Sequence, residues 1–117
     1  MPHFVVDCSE NVLNHKPSPE IMQAIYDVAV SSGLFATAGV GGIKVRINPF
    51  KDFVVVDSNN DFVHVVAHIL EGRTPEQKKS LSAGVVERLK ALLPEVTHIS
   101  MHIQDIEKAG FCNQTMA

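Results

Sequence analysis

Two stretches of the chain share one rhythm of apolar and polar positions. The first opens on an apolar strand over Pro2 to Cys8, passes to a helix start at Ser18-Pro19-Glu20, and predicts a second strand from about Ile43 to Asn48. The second repeats the order: a strand from Asp61 to Leu70, a helix start at Thr74-Pro75-Glu76, and a strand from about Thr97 to Ile106. The pattern is β-α-β twice, over residues 2–50 and 53–111 of a single domain spanning 1–117.

The helix starts have a physical basis. Ser18 and Thr74 can accept hydrogen bonds from the unpaired backbone N–H groups of a first turn. Pro19 and Pro75 sit where no donor is lost. Thr74 and Gln77 have capping-box spacing, and Glu20 and Glu76 suit the positive helix end. Ile21, Met22, Ile25, Val28 and Ala29 then form a helical stripe that Gly33 can end. Leu81, Val85, Leu89, Leu92 and Leu93 form another, closed by Pro94. Such stripes read as core.

Phe53-Val54-Val55-Val56 and Phe62 to Leu70 read as apolar, β-branched strands with little clean alternation, as expected of strands covered on both faces. Two helices can cover only one face of a four-stranded sheet. The other face therefore calls for a partner, which predicts oligomerisation. The expected fold is α+β, with four strands and two helices on one side.

Composition narrows the function classes. The 117 residues are 45% apolar and 20% charged, which is ordinary for a folded domain and unlike a disordered chain. No apolar run approaches the ~18 residues that cross a bilayer, and Met1-Pro2-His3-Phe4 has no secretory character. The net charge of −3, without a basic cluster, argues against a nucleic-acid partner. Cys8 and Cys112, far apart, read as free thiols of a cytoplasmic protein.

Pro2 is the first candidate for chemistry. Removal of Met1 would leave it as a secondary amine beginning a strand. An α-amine titrates at about 7.7–8.0, and apolar or cationic surroundings lower it, so it could serve as a base near neutral pH. By itself the dipeptide is weak evidence and better suits the lead into an edge strand. Lys44, Arg46 and Arg73 could likewise be solvated surface cations. His64 with His68, and His98 with His102, each share a strand face. At about 13 Å, i and i+4 on one strand are too far apart to hold one ion, so hydrogen-bonded histidines in the sheet or an interface are the better reading than zinc. Gly39-Val40-Gly41-Gly42 lacks the setting and ending of a phosphate loop and reads as a connection bordering a site mouth.

The passage Ile69-Leu70-Glu71-Gly72-Arg73-Thr74-Pro75-Glu76-Gln77-Lys78 changes this balance. Phe62 to Phe111 resembles 4-oxalocrotonate tautomerase, and the first half looks like a second copy of that unit. Pro2-His3-Phe4-Val5-Val6-Asp7-Cys8-Ser9, Gly42-Ile43-Lys44-Val45-Arg46 and Phe62-Val63-His64 resemble the 5-carboxymethyl-2-hydroxymuconate isomerase family of the same tautomerase superfamily. The resemblance implies a homotrimer with its sheets inward and sites at subunit boundaries. It implies that Pro2 is the catalytic base, moving a proton between an enol oxygen and a carbon. Arg73, Lys44 and Arg46 would bind the carboxylates of a small-molecule substrate, and Phe111 would help make the site apolar. Lys44 departs from the family's arginine; it keeps the charge and loses the two-pronged fork. No cofactor or metal is implied. A non-catalytic trimeric binding protein, favoured if Met1 is kept, and a hydratase or dehalogenase of related acids are the alternative functions.

Overall fold

The structure is a computed structural model describing residues 1–35, 42–56 and 61–117. The element order is β1 (His3–Ser9), α1 (Val12–His15), α2 (Ser18–Ser31), β2 (Lys44–Phe50), β3 (Phe62–Leu70), α3 (Pro75–Leu92) and β4 (His98–Ile106), followed by a 3₁₀ turn at Lys108–Gly110. The four strands form one sheet in the order β2-β1-β3-β4. β1 runs parallel to β2, and β3 parallel to β4, while β1 and β3 meet antiparallel at the centre. This is the expected α+β arrangement of two β-α-β units.

Both long helices pack on one face of the sheet. Phe4, Val6 and Cys8 of β1 and Val63, Val65, Ala67 and Ile69 of β3 are buried there against Ile21, Ile25 and Ala29 of α2 and Leu81, Val85 and Leu89 of α3. Each fully buried side chain of the Val, Leu or Phe class contributes about 1.5–3 kcal/mol. The helices approach closely at Gly84, where an added Cβ would lie 3.3 Å from Val28 Cγ1.

Thr74 caps α3 as expected: its side chain accepts from Gln77 N, and the Gln77 side chain accepts from Thr74 N. Ser18 does not cap α2. The helix already includes Ser18, with Pro17 at the cap position and its carbonyl accepting from Glu20 N and Ile21 N. Gly33 follows the end of α2 at φ 73°, a left-handed conformation that glycine adopts without a Cβ penalty.

Two strand expectations are corrected. Phe53–Val56 is not a strand, and Val54 and Val56 are 98% and 96% exposed. Their β-branched character suits a strand, yet among the described residues no strand pairs with them. Burial in β3 alternates at every residue instead of being continuous. The residues facing away from the helices, including His64, Val66 and His68, are half-buried. Of the glycine connection, positions 39–41 lie outside the described residues.

Candidate active site

The topology brings four chain segments to one end of the sheet. Because β1 and β2 are parallel and β3 is antiparallel to β1, the start of β1, the start of β2, and the ends of β3 and β4 lie together. Pro2 is fully buried there, and its carbonyl accepts from Lys44 N at 3.0 Å. His3 lies opposite Lys44 on β2 and opposite His68 on β3.

A cavity of about 410 Å³ opens at this end, lined by Met1, His3, Lys44, Phe111, Cys112, Asn113 and Gln114. Lys44 and Phe111, both expected from the sequence, therefore meet beside the chain start. Lys44 Nζ donates to the Gly42 carbonyl at 3.2 Å, and the Met1 amine lies 3.4 Å from the same oxygen. Burial, then the Lys44 charge, hold that amine below its ordinary value, since both disfavour a positive charge. Met1 occupies the position in front of the Pro2 nitrogen.

Arg46 stands one step deeper on the same open face. It pairs with Val5 in the ladder, and its Nη1 lies 3.3 Å from His3 Nδ1. It reaches the site through His3 and is not among the described lining residues of the cavity. Arg73 is also absent from that lining. Its Nη1 donates to the Leu70 carbonyl at 3.1 Å, and its Nη2 to the Leu34 carbonyl at 2.8 Å. Its guanidinium lies 5.3 Å from the centre of the Phe35 ring, which packs edge-on against Phe4. Arg73 thus ties the end of β3 to the segment after α2.

The Glu71-Gly72-Arg73 turn places Phe111. Gly72 has φ 120°, which lets the chain reverse without a Cβ penalty. Glu71 Oε2 accepts from Lys108 N at 2.7 Å, and Glu71 N donates to the Ile106 carbonyl at 3.0 Å. These bonds anchor the 3₁₀ turn leading to Phe111.

The sequence reading missed a cluster at the opposite end of the sheet. Buried Ser9 donates to Asp61 Oδ1 at 2.8 Å and accepts from Phe62 N. Asn11 and His15 reach Asp61 Oδ2 at 3.0 and 3.3 Å. Burial works to raise the Asp61 carboxyl, but these hydrogen bonds outweigh it and hold the group below its ordinary value. The serine gives its proton to a carboxylate and has no imidazole base, so this is a clamp and not a nucleophile arrangement. The partners fall in two stretches distant in sequence, Ser9 to His15 and Asp61 to Phe62.

The expected sheet histidines do bond across strands. His64 Nδ1 is 2.6 Å from Ser100 Oγ, and His64 Nε2 is 3.2 Å from His102 Nδ1. Among the described residues no group of three or more His, Cys, Asp or Glu side chains could hold a metal, and no helix is long and apolar enough to cross a membrane. Cys8 is buried, and its thiol is pushed up to about 11, first by burial and then by Asp7 and Asp61. Cys112 is exposed.

Comparison with known proteins agrees with the geometry. Residues 2–115 match the model of the 5-carboxymethyl-2-hydroxymuconate isomerase family. The chain belongs to this family. It is an enzyme of the isomerase class with the tautomerase fold. The 5-carboxymethyl-2-hydroxymuconate Delta-isomerase of Escherichia coli is 27% identical over 92 residues, covering 77% of this chain and 71% of that protein. A 5-carboxymethyl-2-hydroxymuconate isomerase from Deinococcus radiodurans R1 superposes with a TM-score of 0.81 at 23% identity, over 97% of this chain and 88% of that one. A fused 4-OT wild-type symmetric trimer superposes at 0.74 and 21% identity, over 97% and 95%. At these identities the two structures establish the shared fold.

Proposed function

We propose that this isomerase interconverts the enol and conjugated keto forms of a small unsaturated di- or tricarboxylate, with 5-carboxymethyl-2-hydroxymuconate as the first candidate. The observation that carries the reading is the cavity at the start of β1, where Lys44 and Phe111 border the chain terminus. After loss of Met1, the Pro2 amine takes the hydroxyl proton of the enol. The O–H electron pair stays on oxygen as a dienolate, whose conjugated carbon then takes the proton back from the prolinium. The step is balanced within one substrate molecule and uses no co-reactant.

Lys44 supports the reading twice. Its charge attracts a substrate carboxylate, and a cation disfavours the protonated form of an amine beside it, as at the Met1 amine, which burial and then Lys44 lower. Arg73 spends two of its five N–H donors on carbonyls, leaving others for a carboxylate at the edge of the site. Arg46 adds positive charge behind His3.

The reading includes a homotrimer acting in the cytoplasm, with its sites completed at subunit boundaries. The uncovered sheet face and the exposed Phe50, Phe53, Val54 and Val56 are surface for such an assembly to bury. A second reading, a non-catalytic binding protein, draws on Met1 itself: while it is retained, the Pro2 nitrogen is an amide with no basic lone pair.

Ultraviolet assays of 2-hydroxymuconate and its 5-carboxymethyl derivative test both, using protein of verified intact mass with and without Met1. A rate far above buffer only in the Met1-free form supports the proline base. Equal rates in both forms remove it. Absence of turnover in the Met1-free form favours the binding reading.

A further inference from the structure

We propose that His3 contacts the substrate directly, donating a hydrogen bond from Nε2–H to the oxygen that gains charge as the dienolate forms. This rests on the tautomerase reading above and adds a donor to the site beside the Pro2 base. His3 follows Pro2 in the chain and lines the same cavity as Lys44 and Phe111. Pro2 itself is buried and is not among the described lining residues, so loss of Met1 is what would bring a substrate oxygen beside both the base and the imidazole.

Arg46 sets which ring nitrogen carries the proton. A guanidinium can only donate, so its Nη1, 3.3 Å from Nδ1, makes Nδ1 the acceptor and leaves the hydrogen on Nε2. Among the described residues no hydrogen bond occupies Nε2, which remains available to a ligand.

The surroundings keep the ring uncharged. Burial lowers His3 from its ordinary value, and Lys44 and Arg46 on β2, the chain-terminal amine and His68 on β3 lower it further. An uncharged donor suits this place. It stabilises negative charge on the oxygen as that charge develops, without a further cation beside the amine base. The division of labour is then clear: Lys44 attracts the carboxylate, and His3 responds to the reaction. The corresponding histidine of the second unit, His64, bonds to Ser100 and His102 instead.

The test is ketonisation of 2-hydroxymuconate and its 5-carboxymethyl derivative by Met1-free wild type, His3→Ala and His3→Gln. His3→Ala is expected to lower kcat about a hundredfold, the scale for losing one donor to a developing oxyanion, with little change in KM. His3→Gln, which restores an N–H near the Nε2 position, is expected to recover most of the loss. The pH at which its rate rises should match wild type, because one uncharged group replaces another. Active wild type with unchanged kcat in His3→Ala overturns this inference and leaves the tautomerase reading in place. So does a loss confined to KM and shared equally by both variants, which would mean a charge role. An inactive wild type overturns both. Nitrogen-15 spectra of the free protein at neutral pH supply an independent readout: Nε2 should be protonated and Nδ1 bare. An imidazolium, or a proton on Nδ1, overturns the proposal.

Discussion

Lys44 and Ser100 occupy corresponding places in the two β-α-β units. Lys44 faces His3 across the β1–β2 ladder, and Ser100 faces His64 across the β3–β4 ladder. Two residues further on, Arg46 corresponds in the same way to His102. The repeat therefore carries its paired Lys and Arg in one unit, beside the chain start. The corresponding positions of the other unit hold a hydroxyl and an imidazole, and the far end of the sheet is closed by the Asp61 clamp. Among the described residues, this asymmetry distinguishes the chain-start end of a duplicated architecture from its counterpart.

Lys44→Gln should weaken substrate binding and shift the pH profile. Burial and then the Lys44 charge lower the Met1 amine. A cation disfavours protonation of any amine beside it, so removing Lys44 should raise the Pro2 amine left by loss of Met1. Activity that depends on the free base should then rise at higher pH than in wild type. Steady-state kinetics across pH check both effects: a raised KM for a dicarboxylate, and an upward shift of the rising limb.

Arg73→Ala should affect stability as well as KM. The substitution removes the bonds to the Leu34 and Leu70 carbonyls and the contact over Phe35. A hydrogen bond to a charged group contributes about 1.5–3 kcal/mol, and two sharing one side chain do not add fully. Urea unfolding should show a loss of about 2–3 kcal/mol. Arg73→Lys should recover little, because an ammonium lacks the planar fork that spans both carbonyls.

Asp61 makes the fold acid-sensitive in a defined direction. Its carboxyl is lowered in the folded state from 3.8, so the unfolded chain takes up the proton first as pH falls. The stabilisation is complete above the unfolded value and is lost as pH falls through the lower folded value. Asp61→Asn should cost about 1–3 kcal/mol near neutral pH by breaking the cluster. Thermal melts from pH 6 to 2 should show a shallower acid decline in the variant than in wild type.

The two thiols should separate in reactivity. Cys8 is buried and its thiol is raised to about 11, whereas Cys112 is exposed. Iodoacetamide at pH 8 should add one carbamidomethyl group to the native protein, at Cys112, and the second only on unfolding. Peptide mass mapping checks the position.

What the sequence determined by itself was mostly local. Thr74, Pro75 and Gln77 lie within four consecutive residues, so the cap of α3 was legible before any packing was known. The stripes of α2 and α3 and the order of strands followed in the same way, from residues a turn or a pleat apart. The Glu71-Gly72-Arg73 passage marked the superfamily, and the nearby cations on β2 marked candidate carboxylate partners.

Tertiary structure decided what depends on pairing distant segments. The β-branched run Phe53–Val56 suits a strand, but only a neighbouring strand could have made it one. The faces of β3 separated only when helices covered one of them. Lys44 reached His3, Arg46 reached His3 Nδ1, and Arg73 reached the Leu34 carbonyl through strand register and helix packing, across 39 or more residues of chain. The Asp61 clamp joins residues up to 52 apart. Local propensity carries no term for such contacts; their partners are chosen when the hydrophobic core closes and the ladders lock their register.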